Sequence, residues 1–374
     1  MSIKFIDLNS QQLRLKDEIN SGIQSVLKHG QYILGPEVRK FEENLAKFGK
    51  SKYALGCANG TDAIVLPLLA WGIGPGDAVF CPSFTYCATA EAIANTGATP
   101  VFIDIHRRTY NIDPESLERA INEVKKNRQL VPRAIIAVDL FGQSANYPIL
   151  SAIAKSYDLK LIADSAQGFG TTLKGKHPLH WADITTTSFF PAKPLGCYGD
   201  GGAILTNDDN LAIRIESLRF HGKGVEKYDN THVGLNSRLD TLQAAILLPK
   251  LKIFSEEINV RNFIANRYID GLKDHVSCLP KIMNGVISTW AQFTIEVTDP
   301  ELFARRLKEK GIPTARYYPK PVHQQSAYSH FPIEGKKLLN TEDCSNHTIS
   351  LPMHPYLDNR TQDIIIEIVQ KAVK

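Results

Sequence analysis

The sequence predicts an α/β chain: a large domain with a mostly parallel central sheet flanked by helices, followed by a smaller C-terminal α/β domain. Three observations carry this. Short apolar runs alternate with helix-like segments over the first two thirds of the chain, the character changes near Leu242, and a clean alternating strand, Trp290–Val297, lies beyond it. Strand–helix alternation requires crossover connections, which make strands parallel and put helices on both sheet faces. A chain of 374 residues exceeds what one small core organises, so a large domain is placed over residues 1–250 and a small one over 251–374.

The chain opens on an amphipathic helix, Ser10 to Leu27. Buried strands are expected at Ala78–Cys81, Val101–Ile103, Ala134–Val138 and Leu159–Ala163, where apolar residues run together. Helices are expected at Asp62–Ala70, Thr89–Asn95, Pro114–Val124 and Tyr147–Lys155. Strands at Thr185–Phe189 and Ala203–Thr206 are close enough to form a hairpin-like or bulged part of the same sheet. A long helical stretch from Leu242 links the domains. After Trp290–Val297 come a helix opened by Asp299–Pro300, a strand in "IPTARYY" (Ile312–Tyr318) and a last helix over Thr361–Val373.

Composition excludes several classes. Hydrophobic residues at 43% and charged residues at 22% are ordinary for a globular enzyme. The net charge of +4 is spread over clusters that also carry acids, such as those around Lys125–Lys126 and Arg305–Arg306, which argues against a nucleic-acid partner. Six cysteines show no CxxC pair and no zinc-type spacing, so no disulfide framework and no metal site are expected. The first residues lack a signal peptide's apolar core, and the best apolar stretch, "AIVLPLLAWGIG", is short and interrupted by Pro67. A cytoplasmic enzyme with no membrane partner is the expectation.

Ligands of open parallel sheets bind where strands end at their carboxyl edge. Four stretches end there. In "CANGTDAI" a strand gives way to a helix near Gly60–Thr61, which makes either a phosphate cradle or a plain N-cap. In "LKLIADSAQGFG" Asp164 ends a strand, placed either to hold a heteroaromatic ring nitrogen protonated or to cap the next helix. In "SFFPAKPLGCYGDGGAI" Ser188 and Lys193 reach the same edge, and Pro191 and Pro194 fix φ on either side of the lysine. An immobilised amine of lowered pKa is how a Schiff-base lysine is made, while the plain alternative is a solvated loop lysine. In "VGLNSRLDTLQAAIL" Asn236 and Arg238 precede a helix as a phosphate or carboxylate contact, or as a solvated cap.

A phosphate cradle, a ring-nitrogen acid and an immobilised lysine, each after a different strand, are together the requirements of pyridoxal 5'-phosphate. "PSFTYCATAEAI" adds Phe84 and Tyr86 as candidate ring-stacking aromatics, either of which can equally be a core residue. Two rival readings are a dinucleotide site, against which "GCYGDGG" fits no G-x-G-x-x-G and opens toward a strand, and a non-catalytic sensor or regulator built on the same scaffold.

With these stretches in order, together with "HGQYILGPEV" and "LPMHPYLD", the chain resembles the DegT/DnrJ/EryC1/StrS family of sugar aminotransferases. The resemblance implies the aspartate-aminotransferase-like fold (fold type I). Within the family the likeness runs to members that aminate UDP-2-acetamido-3-keto-glucuronic acid for bacterial O-antigen synthesis, with L-glutamate as donor. It implies that Lys193 holds the cofactor as an imine and shuttles protons. Asp164 would pair with the pyridine nitrogen, and Gln167 would contact the ring hydroxyl oxygen. Gly60, Thr61 and Ser188 would hold the phosphate, and Tyr86 would stack on the ring. Asn236 would reach the cofactor phosphate of a neighbouring subunit, which implies a homodimer with shared active sites. Arg238 sits where a sugar carboxylate can be paired, with Tyr317 and His323 as further substrate candidates and Arg316 beside them.

Two departures stand out. Ala163 and Ser165 flank Asp164, and the family's "HYP" element appears as Tyr317–Tyr318–Pro319. Family dehydratases carry histidine where Lys193 stands, so the lysine points to amino transfer.

Overall fold

The computed structural model describes residues 3–226 and 228–373. In chain order the strands are β1 (Tyr53–Cys57), β2 (Asp77–Pro82), β3 (Thr99–Ile103), β4 (Val131–Val138), β5 (Lys160–Asp164), β6 (Thr172–Leu173), β7 (Ile184–Ser188), β8 (Gly202–Thr206), β9 (Val286–Ile287), β10 (Phe293–Glu296) and β11 (Thr348–Leu351). Seven of them form the central sheet in the order β1-β8-β7-β5-β4-β2-β3. The five from β7 to β3 are mutually parallel, and β8 runs antiparallel to both β7 and β1. The mostly parallel sheet of the sequence reading is therefore present, and the β7–β8 pair is its antiparallel part.

Each face of the sheet is covered for a readable reason. The helix Gly60–Ala70 buries every residue from Ala63 to Leu68. It packs against β7 and β8 on one side and against the helices Ala88–Asn95 and Asp209–Arg219 on the others. A helix apolar all round needs that many neighbours. Beneath the other face lie two helices, Pro114–Asn127 and Tyr147–Ser156, whose Leu117, Ile121 and Leu150 share a core with Phe80, Ile135 and Leu161. Pro114 at the first turn and the Asp113 carboxylate on the Ser116 amide fix the start of the former.

The helix Thr241–Leu272 runs through two cores. Leu247, Leu251, Phe254 and Ile258 pack with Phe189 and Leu205, whereas Ile264, Tyr268 and Leu272 pack with Phe293, Ile349 and Val369. The second core is closed by the antiparallel ribbon β10–β11 and the helices Pro300–Glu309 and Asn359–Ala372. Between them the chain returns to the large sheet: Phe102 exchanges backbone hydrogen bonds with Pro332 and Glu334 at 3.0 and 2.9 Å.

Three expected elements differ. The N-terminal helix breaks at Leu15 into Leu8–Arg14 and Lys16–His29. The strand expected over Trp290–Val297 is confined to β10, because Trp290 takes a left-handed φ of 47° and Gln292 donates to Phe141 O instead of a ladder partner. The strand expected over Ile312–Tyr318 is not formed. A single bridge joins Ala315 to Ser350, since Pro313 has no amide hydrogen to donate and the chain turns toward Pro319. The helices Pro36–Gly49 and Leu339–His347 are additions to the sequence reading.

The sheet edge is tied by a buried ion pair. Arg219, 3% exposed, donates to Glu42 Oε1 at 2.5 Å and to the Gly56 carbonyl at 2.6 Å, and Gly56 N returns a bond to the same carboxylate at 2.7 Å. Glu42→Ala leaves Arg219 with the Glu216 carboxylate and the Gly56 carbonyl but takes the acceptor from the Gly56 amide, so it is expected to cost about 1–3 kcal/mol in denaturant unfolding. A loss below about 1 kcal/mol would show that water replaces the carboxylate.

Candidate active site

The carboxyl ends of β1, β2, β5 and β7 meet at one edge of the sheet. At the end of β1 the Asn59 side chain accepts from Asp62 N at 2.8 Å and the Asn59 carbonyl from Ala63 N at 3.1 Å. The amides of Gly60 and Thr61, first in the helix, have no intrahelical acceptor and lie ahead of this cap. Glycine at 60 is a matter of space: a β-carbon there would stand 2.7 Å from Ser188 Cβ at the end of β7. Gly60, Thr61 and Ser188 are thus brought together from two strands.

Asp164 ends β5 and is 5% exposed. Its carboxylate accepts from Thr89 Oγ1 at 3.0 Å and from Ala166 N at 3.1 Å. Burial raises its pKa above the ordinary carboxylate value, opposed by those two hydrogen bonds and by the charge of Lys193. Lys193 is half-buried at the turn beyond Ser188, its amide donating to Phe190 O at 2.8 Å. Burial lowers its pKa, and the Asp164 charge opposes that fall. Each charge thus opposes the shift that burial imposes on the other.

Gln167 accepts from Phe141 N at 2.8 Å through Oε1 and donates to the Tyr318 hydroxyl at 2.9 Å through Nε2, which leaves it a second amide hydrogen. The Tyr318 ring centroid lies 6.2 Å from that of the exposed Tyr86 and 6.3 Å from that of Phe84. Phe84 is fully buried with Tyr110 and Phe141 and belongs to the core, which leaves Tyr86 as the accessible aromatic. Tyr318 was not among the site residues read from the sequence. Its signal was the aromatic pair before Pro319, of which Tyr317 was taken.

The remaining candidates fall elsewhere. Tyr317 is half-buried, its ring 6.4 Å from that of Phe5 and 5.6 Å from that of Tyr318. His323 is buried, with Nδ1 2.7 Å from Ser83 Oγ and Nε2 3.6 Å from Glu342. Arg316 is engaged by Glu301 and by the Ser345 carbonyl. Asn236 is exposed and accepts from Arg238, whose guanidinium lies 4.8 Å from the Phe220 ring centroid. Ser237, between them, accepts from Ala58 N at 3.2 Å, which sets this segment beside the Gly60 turn.

Comparison with known proteins decides the family. The model of the DegT/DnrJ/EryC1/StrS aminotransferase family matches residues 13–370. The chain belongs to this family. It is 50% identical over 97% of its length, and 98% of the relative's, to the UDP-2-acetamido-2-deoxy-3-oxo-D-glucuronate aminotransferase of Pseudomonas aeruginosa. Among solved structures it superposes with a TM-score of 0.97 on a DegT DnrJ EryC1 StrS aminotransferase from Brucella abortus, at 46% identity and 99% coverage of both chains. It also superposes with a TM-score of 0.94 on S. venezuelae DesV in complex with a ketimine intermediate, at 34% identity over 100% of this chain and 99% of that one.

The family's cofactor is pyridoxal phosphate, and the residues present fit it. Open amides stand at a helix start beside Ser188, in a turn with no room for a side chain at 60. Thr186, which pairs with Asp164 in the β5–β7 ladder, carries a buried hydroxyl with no hydrogen-bond partner among the described residues. Such a group awaits a ligand or water.

The opposed pKa shifts yield a test. Asp164→Asn removes the charge that holds the Lys193 ammonium up, so the pH at which Lys193 reacts with an amine reagent in cofactor-free protein should fall further. Mass-spectrometric pH profiles of peptide labelling read this directly; a midpoint that rises would break the assigned electrostatics.

Proposed function

We propose that this aminotransferase moves an amino group from L-glutamate to the keto carbon of a UDP-linked 2-acetamido-3-keto-glucuronic acid or a close relative, giving an amino sugar for bacterial surface polysaccharide. What carries the proposal is the placement of Asp164 at the end of β5 and of Lys193 in the turn after the neighbouring β7, in a chain 50% identical over 97% of its length to an enzyme named for that sugar. The reading includes a homodimer working in the cytoplasm.

When bound, the cofactor supplies an electron sink for the carbon that loses or gains a proton. The amides of Gly60 and Thr61, with Ser188, hold its phosphate at the positive end of the helix. Asp164, whose anionic form the Thr89 hydroxyl and Ala166 N favour against its burial, would pair with the ring nitrogen. Tyr86 would stack on the ring, and the second amide hydrogen of Gln167 would be available to the ring hydroxyl oxygen. Lys193 would hold the cofactor and would serve as the base that moves a proton beside it; burial, which lowers the amine's pKa, suits that task. Arg238 pairs with the sugar carboxylate, and Asn236 reaches across to a second subunit's phosphate. Tyr317 and His323 stay as substrate candidates, with Nδ1 of His323 engaged by Ser83.

Two experiments test this. Borohydride reduction of the yellow protein followed by peptide mapping should label Lys193, and Lys193→Ala should lower turnover by at least about 10³-fold. A label at another lysine refutes the assignment. With glutamate and a panel of keto-sugar nucleotides, uronic acids should be preferred, and Arg238→Ala should raise their KM about 10–100-fold while leaving neutral hexoses unchanged. Equal losses for both sugar classes would remove the carboxylate from the role of Arg238.

A further inference from the structure

A second lysine lies behind the loop that carries the first. Lys250, 1% exposed, sits within the helix Thr241–Leu272 among Leu247, Leu251 and Phe254, where an aliphatic residue would be the ordinary occupant. Its amine donates to the Gly196 carbonyl at 2.6 Å and stands 4.2 Å from the centroid of the Tyr198 ring. Burial pulls its pKa down to about 8, with Cys197 and Glu257 opposing the fall. A buried ammonium is costly unless it is tightly paired, so its place in an apolar core asks for a purpose.

The packing on the far side of Gly196 supplies one. A β-carbon at 196 would stand 2.5 Å from Pro191 O and 2.7 Å from Phe190 O, so this glycine lies directly on the turn before Lys193. Phe190 O is the acceptor of the Lys193 amide, and Phe189 O that of the Cys197 amide, both at 2.8 Å. The helix grips the same loop a second time, about two turns nearer its N-terminus, through Gln243 Oε1 on Tyr198 N at 2.9 Å. A contiguous path therefore runs from the Lys250 amine through the Gly196 peptide and the Phe190–Pro191 turn to the backbone of Lys193.

We propose that Lys250 is a positioning residue for Lys193: by clamping the Gly196 carbonyl it holds the 189–199 loop against the long helix and fixes the direction in which the Lys193 amine is presented. The proposal rests on Lys193 as the cofactor-bearing residue. Lys250 itself touches neither cofactor nor substrate.

The test uses full-length cofactor-loaded protein and hydrogen exchange read by mass spectrometry. Lys250→Met keeps the aliphatic stem and removes the donor. Amides of peptides spanning 189–199 should exchange at least about 10-fold faster, while those of β10 and β11 stay at the wild-type rate. The pH midpoint of the lysine–cofactor absorbance band should shift as well. Lys250→Gln, whose shorter amide reaches the carbonyl poorly, should loosen the same loop by at least about threefold, and it decides the question alone if the methionine variant does not fold. Exchange at 189–199 within twofold of wild type for Met, or below threefold for Gln, overturns the clamp. So does loosening that is equal in β10 and β11, which marks a general loss of packing. Borohydride mapping of the wild-type protein separates the two claims: a label away from Lys193 removes the cofactor assignment, whereas a label at Lys193 with an unmoved loop removes only the role of Lys250.

Discussion

The site depends on keeping an acid and an amine out of water together. Burial works against both charges, lifting the Asp164 pKa and lowering that of Lys193, and each charge opposes the other's shift. The Thr89 hydroxyl and Ala166 amide favour the Asp164 anion as well. Sheet topology makes the meeting possible. β5 and β7 are adjacent and parallel, so Asp164 and Ser188 end at the same edge, and a proline-bracketed turn carries Lys193 back over it.

The rest of the architecture braces this edge. A long helix shares its first half with the core around β8 and its second half with the core of β10 and β11. A second tie is electrostatic: Arg107 forms a bidentate pair with Glu296 on β10, which also accepts from Tyr110. The segment bearing Tyr318 lies between Ile312 and Ile349 of the second core, and its hydroxyl accepts from Gln167 of the large sheet's edge. The site is thus assembled from both parts of the molecule.

How much was legible in the sequence varies with the kind of signal. The strands β2 and β5 are mostly apolar and buried on both faces, which makes them legible as runs, whereas β7 is Ile-Thr-Thr-Thr-Ser and signals itself by β-branched residues. The "IPTARYY" segment misled because its residues favour extended backbone, yet Pro313 cannot donate to a ladder and Arg316 is drawn to Glu301 and Ser345. Phe84 and Tyr86, equivalent as letters, part company in the structure: the former is fully buried and the latter exposed.

By itself the sequence determined the alternation of strands and helices, the strand ends that carry Asp164, Ser188 and Lys193, and the glycine- and proline-bounded turns that shape them. Those features follow from the periodicity and backbone preferences of neighbouring residues. Only the tertiary structure decided the partners: Thr89 on Asp164 across 75 positions, Tyr318 on Gln167 across 151, and Ser83 on His323 across 240. Hydrogen bonds between such distant residues are set by strand order and the path of the returning chain, and no local pattern encodes either.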